Sequence, residues 1–360
     1  MKKMKLLTLS LTAFLAVNLN ALSLDEAVSI ALKNNFEIQG KNYDYLESLE
    51  NINSVNSNNL PKLDAVYGFT NTDKPNIGYE SDEAVASIAL SYNLFNGFKD
   101  ISLKESSKYL SLSSQHGLNA TKQDIVLNTK TAYINYLDKK NALETYNSAY
   151  ILFQEQYEDS KHRYEQGLIA KNDLLQVQVN MSNAKQNVVK AQGDLKISSF
   201  TLSNILGGMD LSKEKIEDLD EKSLQSFTYN EELLENRSEI QALLLNLKSI
   251  KELEKSTNSG YYPKIDATVS HNKYFDELSK KVEDKQENQN IAKINATWNL
   301  YNGGYDSSQN AIYKTKYLSA TSLLNKTKLD IKLQYENAKS NLQVSSENLE
   351  TSKLALLQAQ

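Results

Sequence analysis

Two stretches of the chain alternate strictly between apolar and polar residues. In the first, Ala86, Ile88, Leu90, Tyr92 and Leu94 alternate with Ser87, Ala89, Ser91 and Asn93. In the second, Ala292, Ile294, Ala296, Trp298 and Leu300 alternate with Lys293, Asn295, Thr297 and Asn299. A period of two held over about ten residues predicts a strand with one apolar and one polar face. Both stretches end alike, in Asn93-Leu94-Phe95-Asn96-Gly97 and Asn299-Leu300-Tyr301-Asn302-Gly303, at an offset of 206. A further strand precedes each. Leu63, Ala65, Tyr67 and Phe69 alternate with Asp64, Val66, Gly68 and Thr70, and Ile265, Ala267 and Val269 alternate with Asp266, Thr268 and Ser270. Leu60-Pro61-Lys62-Leu63-Asp64-Ala65 returns as Tyr262-Pro263-Lys264-Ile265-Asp266-Ala267, at an offset of 202. The chain is therefore an internal duplication, with two strands and a polar connecting loop in each half. The loops are 71–83 and the highly charged 272–290, and four residues added between the two strands of the second half take the offset from 202 to 206.

Between the strands the period changes to that of helices. Leu24, Ala27, Val28, Ala31 and Leu32 predict a helix over 24–58, with Ser23 and Glu26 as a capping box. Residues 101–166 contain no proline, and Leu118, Ile125, Ala132, Tyr136, Leu143, Tyr146, Tyr150, Phe153, Tyr157 and Tyr164 recur at spacings of three, four and seven. That is a coiled-coil seam on a helix about 100 Å long. Residues 167–172 break it, 173–206 run back as a return helix, and Gly207-Gly208 stops that one. Helices 24–58 and 173–206 together nearly match the long helix, so they are expected to stack end to end beside it as a rod. The second half repeats the short helix over 231–259 and the long helix from 307 onward. Gln360 corresponds to Gln154, so the second repeat is expected to be truncated before its return helix. The resulting division is a signal peptide at 1–21, a first repeat at 22–208, an equatorial connector at 209–230 and a second repeat at 231–360.

Composition narrows the class. Lys2, Lys3 and Lys5 precede an apolar run over 6–17, and Ala21 offers a cleavage site, the pattern of a secretory signal. Removing those three lysines takes the formal charge from −5 to −8, which leaves no basic surplus to attract nucleic acid. Charged residues make up 24% and the mean hydropathy is −0.53, so no bundle of membrane helices is hidden here. The chain has no cysteine, which excludes disulfides, thiolate metal sites and a lipidated cysteine. His116, His162 and His271 are scattered without ligand spacing, and no nucleophile elbow, phosphate loop or dinucleotide fingerprint appears. No enzyme, cofactor or metal is expected. The tyrosines of the long helix read first as packing positions in a partly wet groove, and second as a ladder for a passing substrate.

An isolated hairpin is not stable in water, so the apolar strand faces need a partner. A soluble sandwich would supply another sheet, making a periplasmic coiled-coil scaffold. A membrane barrel would supply lipid, with the polar face toward a lumen, and strands of about ten residues suit a tilted crossing. Four strands cannot close a barrel, since the smallest have eight. An open edge in lipid leaves backbone groups unsatisfied at several kcal/mol each. In lipid the chain must therefore oligomerise, two copies giving eight strands and three giving twelve.

Three stretches carry a resemblance. They are Leu24-Asp25-Glu26-Ala27-Val28 through Ala31-Leu32-Lys33-Asn34-Asn35, the ending Asn93-Leu94-Phe95-Asn96-Gly97, and Arg163-Tyr164-Glu165-Gln166-Gly167-Leu168-Ile169-Ala170-Lys171-Asn172-Asp173-Leu174-Leu175. With the duplication, the chain resembles the TolC-like outer-membrane efflux family. The resemblance implies a mixed α and transmembrane β fold: duplicated long coiled-coil helices forming a periplasmic helical barrel, and four strands per chain in an oligomeric β-barrel. It implies a homotrimer in outer-membrane lipid, extending into the periplasm. A periplasmic adaptor protein and an inner-membrane transporter would be its partners, for efflux or type I secretion. The polar strand positions Ser87, Ser91, Asn93, Lys293, Asn295, Thr297 and Asn299 are the expected pore lining. Arg163, Gly167, Leu168 and Asp173, at the helix break, are the expected adaptor contacts.

Overall fold

The computed structural model describes residues 21–73, 82–212, 214–219, 231–275 and 288–359. The expected signal peptide, the tips of both hairpin loops and the second half of the connector lie outside the described residues. The described residues fall into two compact units, one within Met1–Phe36 and Lys122–Gln225 and the other within Glu37–Thr121 and Ser226–Gln360. Among them no helix is long and apolar enough to cross a membrane.

The first unit holds α1 (Leu24–Asn34), the second part of α3 (Lys99–Glu165) and α4 (Lys171–Ile205). The capping box at the start of α1 forms as expected. The Glu26 N–H donates to Ser23 Oγ, and Glu26 Oε2 accepts from the Ser23 N–H at 3.0 Å. The bonds that this carboxylate accepts from the Ser23 N–H and from the Ser23 hydroxyl hold it below its usual pKa. On α3 the seam residues Ile125 and Ala132 are buried. On α4 the buried positions are Ala184, Val188, Ala191, Ser198 and Leu202, a heptad-like series of small and branched residues that permits close helix approach. The start of the connector packs here too. Leu22 and Ile216 form a parallel bridge, with the Leu22 N–H donating to Lys215 O at 2.6 Å.

The second unit holds α2 (Phe36–Asn56, from Glu37 onward), the first part of α3, the sheet, α5 (Glu231–Glu235), α6 (Ser238–Thr257) and α7 (Tyr305–Ala359). Ile240 and Leu247 of α6 bury against Leu324 and Ile331 of α7. Hydroxyls join α3 to both short helices. Ser48 donates to Ser111 at 3.1 Å, Ser106 and Ser249 lie 2.9 Å apart, and Ser113 donates to Ala242 O at 2.8 Å.

The short helices differ from expectation in one respect, twice over. Each is interrupted. Between α1 and α2, Asn35 is extended (φ −65°, ψ 127°) and its side-chain amide donates to Ile205 O at 3.0 Å. Between α5 and α6, Arg237 is extended (φ −65°, ψ 140°). The two breaks are 202 residues apart (237 minus 35), so the interruption belongs to the repeat. A 3₁₀ turn, Ser57–Asn59 in one copy and Asn258–Tyr261 in the other, then leads into the strands.

The four strands form one antiparallel sheet in the order β1-β2-β3-β4: Lys62–Asn71, Asp82–Asn96, Lys264–Tyr274 and Gln289–Thr297. The two hairpins therefore join side by side through β2 and β3. Both reach further into their polar loops than the alternation indicated, because backbone pairing continues after the side-chain pattern fades. β4 instead stops at Thr297, short of the expected Leu300. Asn299 lies beyond the strand, its Oδ1 accepting from the Tyr301 N–H at 3.2 Å.

Candidate functional site: the two faces of the sheet and the helix turn

Register assigns every strand residue to a face. Leu63, Leu90, Val269 and Ala292 form one row across all four strands, and Ala65, Ile88, His271 and Asn290 form the next. Tyr92, Ala267 and Ile294 share this side. On the other side Lys62, Ser91, Thr268 and Lys293 form a row, followed by Asn93, Asp266 and Asn295, then Asn96, Lys264 and Thr297. Six of the seven expected pore residues thus fall on one face, in three consecutive rows with Ser87 further along β2. Asn299 is the exception, for the reason already given.

On β2 and the hairpin-side part of β3 exposure separates the faces, while β1 and β4 are open on both. Ile88 is 55% exposed and Ile294 is 74% exposed, and Leu63, Tyr67, Phe69, Leu90 and Val269 are also open. On β2 the polar positions Ser87, Ser91 and Asn93 are the more covered ones. A sheet in a soluble sandwich shows the reverse. An apolar surface of this extent facing outward marks contact with another apolar phase. Among the described residues β1 and β4 are each bonded on one side only, which leaves two edges to be closed by other chains.

Aromatic rings flank the apolar face. At the helix end Phe95, Phe98 and Tyr262 stack edge to face, with centroids 5.1 to 6.4 Å apart. At the hairpin end Tyr67 and Phe275 do the same at 6.1 Å. Rings of this kind sit at the two interfaces of a bilayer.

One side-chain bond at the passage from strand to long helix recurs in both repeats. Asn96 Nδ2 donates to Asp100 Oδ2 at 2.6 Å, and Asn302 Nδ2 donates to Asp306 Oδ2 at 2.5 Å. Gly97 follows at φ +68°, and a Cβ there would lie 2.7 Å from the Ser259 carbonyl oxygen, so the turn requires glycine. Asn93 also donates to Asp100, at 2.7 Å, which ties one expected lumen residue to the start of α3.

At the other end of α3 the chain reverses through a Schellman turn. The Leu168 N–H donates to Arg163 O at 2.8 Å and the Gly167 N–H to Tyr164 O at 2.9 Å, with Gly167 at φ +75°. Arg163 Nε lies 2.9 Å from Asp159, and Asp173 Oδ2 accepts from the Ala170 N–H at 3.3 Å, which caps α4. The turn gathers Arg163, Gly167 and Leu168, places Asp173 in the first turn of α4, and leaves Leu168 68% exposed.

Tyr133 had no place in the heptad pattern, yet it is fully buried. Its hydroxyl lies 2.8 Å from Leu22 O and 2.7 Å from Glu217 O, one proton serving two carbonyls. Burial first, and the Glu217 charge second, push its pKa up to about 12. The only trace in the sequence is its position beside the seam residue Ala132.

The sheet and its helices define a class: proteins that supply part of a membrane β-barrel and extend it with long helices. The comparisons with known proteins agree. The model of the family "Outer membrane efflux protein" matches residues 27–208. Outer membrane protein TolC of Escherichia coli is 23% identical over 370 residues, covering 99% of this chain and 74% of that protein. TolC of Vibrio cholerae is 24% identical, covering 85% and 69%. Among solved structures, the Campylobacter jejuni CmeC outer membrane channel superposes with a TM-score of 0.73 at 17% identity, covering 88% of this chain and 73% of that one. The outer membrane protein VceC of Vibrio cholerae gives 0.67 at 14% identity, covering 85% and 75%. The chain belongs to the outer membrane efflux protein family. It is a non-enzymatic export channel of the outer membrane that extends into the periplasm.

Proposed function

We propose that three copies of this chain close a barrel of twelve strands. Its polar face lines the lumen through Ser87, Ser91, Asn93, Lys293, Asn295 and Thr297, with Asn299 just past the strand. The long helices carry the duct toward the inner membrane. The turn at Arg163, Gly167, Leu168 and Asp173 receives a periplasmic adaptor, and an inner-membrane transporter supplies the energy. The cargo is small toxic compounds, drugs among them, or secreted protein.

The observation that carries this reading is the continuous apolar face across the sheet register, which on β2 is also the more open side, with Ile88 55% and Leu90 46% exposed while Ser87 and Ser91 are partly covered. Lipid satisfies that surface, and additional strands satisfy the edges. The absence of native cysteine makes a direct test simple. The full chain is reconstituted in vesicles with a single cysteine at Ser91 or at Ile88, and exposed to a charged, membrane-impermeant maleimide. Ser91→Cys is expected to react and Ile88→Cys to be protected. Equal labelling of the two overturns the facing. Light scattering in detergent is expected to give the protein mass of three chains of 40.6 kDa, less the signal peptide. A monomer or dimer mass overturns the twelve-stranded barrel.

A further inference from the structure

We propose that the hairpin end of the apolar face binds the phosphate of an anionic outer-leaflet lipid headgroup, with Lys273 as its ligand. This rests on the lipid-facing assignment just made.

The apolar face is asymmetric along its strands. At the helix end its last residues, Phe95, Ile265 and Ala296, are uncharged. At the hairpin end the row Tyr67–Ala86–Lys273 places an ammonium on the same side as the apolar residues. Lys273 is exposed, and its Nζ stands 5.3 Å from the centroid of the Phe275 ring. Phe275 meets Tyr67 edge to face at 6.1 Å across β2, where the facing residues Ala84 and Ala86 are small. The Phe275 N–H donates to Ala84 O at 3.1 Å, which holds the ring in place. The result is a rigid ladder of Tyr67, Phe275 and Lys273, with a cation at the level where aromatic residues mark the headgroups. One row nearer the bilayer centre His271 Nδ1 lies 2.8 Å from Asn290 Oδ1, adding polar groups on the same side.

A lysine on a lipid-facing strand is unfavourable in hydrocarbon and favourable beside anionic headgroups. The acid nearest this row on the same face of β2 is Asp82, four residues from Ala86 and so about 13 Å away along the strand. Its carboxylate accepts a hydrogen bond from Asn71 Nδ2. Among the described residues no carboxylate pairs with Lys273, whose Nζ lies over the Phe275 ring, so its charge is open to an external anion. The hairpin loops lie at the end of the sheet opposite the helices, so in a channel whose helices enter the periplasm this anion belongs to the outer leaflet.

The test is native mass spectrometry of the full chain in detergent, titrated with a diphosphorylated glucosamine lipid or with phosphatidylcholine, in the presence and absence of inorganic phosphate. Wild-type protein is expected to bind the diphosphorylated lipid about fivefold more tightly than Lys273→Gln. Phosphatidylcholine is expected to bind both alike, and inorganic phosphate to leave the lipid bound. Lys339→Gln, an exposed lysine of α7, controls for net charge and is expected to bind like wild type. Equal affinity of wild type and Lys273→Gln, or displacement of the lipid by inorganic phosphate, overturns the proposal. Failure of the barrel reading looks different, because it appears as labelling of Ile88→Cys in vesicles whatever the state of Lys273.

Discussion

Tyr133 shows how much one side chain can hold in place. Its hydroxyl donates to the carbonyls of Leu22 and Glu217, two segments almost 200 residues apart in sequence, from a fully buried position. Removing the hydroxyl takes the donor from Glu217 O and leaves Leu22 O with the Glu217 N–H alone, so Tyr133→Phe is expected to lower stability by about 1–3 kcal/mol. The pH dependence has a definite sign. The folded pKa, about 12, lies above the ordinary 10.0 of the unfolded chain. The stability tied to this proton is whole below pH 10, where both states keep it, and is lost as pH rises from there through the folded value. Melting curves of wild type and Tyr133→Phe are therefore expected to converge between pH 10 and about 12. A constant gap across that range contradicts the assignment.

At the scale of elements the strands are the decisive case. A cation introduced on the lipid side of a barrel strand near the midplane costs about 2–4 kcal/mol, while a lumen position tolerates it. Ile88→Arg or Ile294→Arg is expected to cost that much in a refolding titration with phospholipid vesicles, and Ser91→Arg much less. Equal losses at Ile88 and Ser91 mean that the faces are reversed. The helices follow different physics. Their seams at Ile125, Ala132, Leu324 and Ile331 are buried, as heptad spacing requires. The breaks at Asn35 and Arg237 interrupt windows whose spacing reads as helix throughout. No proline or glycine stands at either break, and asparagine, at Asn35 and Asn236, is the only local stop signal. At Asn35 the cause is tertiary: a side-chain amide bonded to Ile205 O, 170 residues away in sequence.

For the whole molecule, export depends on the proposed contact at the helix turn. Arg163 and Asp173 are exposed, and each contributes only a weak surface interaction to its own helix, with Asp159 and with the Ala170 N–H. Reversing them as Arg163→Glu or Asp173→Lys is therefore expected to leave folding and trimer content unchanged while raising drug susceptibility in cells. Immunoblotting of outer membranes alongside inhibitory concentrations checks both. Normal resistance in these variants removes the turn from the adaptor interface.

Duplication, the identity of all four strands, the assignment of residues to faces, the long helix and its turn, and the Asn-Gly endings were determined by the sequence alone. All of these rest on periodicity or on local backbone demands, such as the positive φ at Gly97 and Gly167, and neighbouring residues suffice to express them. The pairing of β2 with β3, the burial of Tyr133, the paired breaks in the short helices and the end of β4 at Thr297 were decided only by the tertiary structure. Each depends on groups brought together from distant parts of the chain, and a pattern of near neighbours holds no record of such contacts. The outward exposure of the apolar face belongs to that second group as well. Alternation gives a strand two chemically different sides, but only the packed molecule determines which of them the protein leaves uncovered.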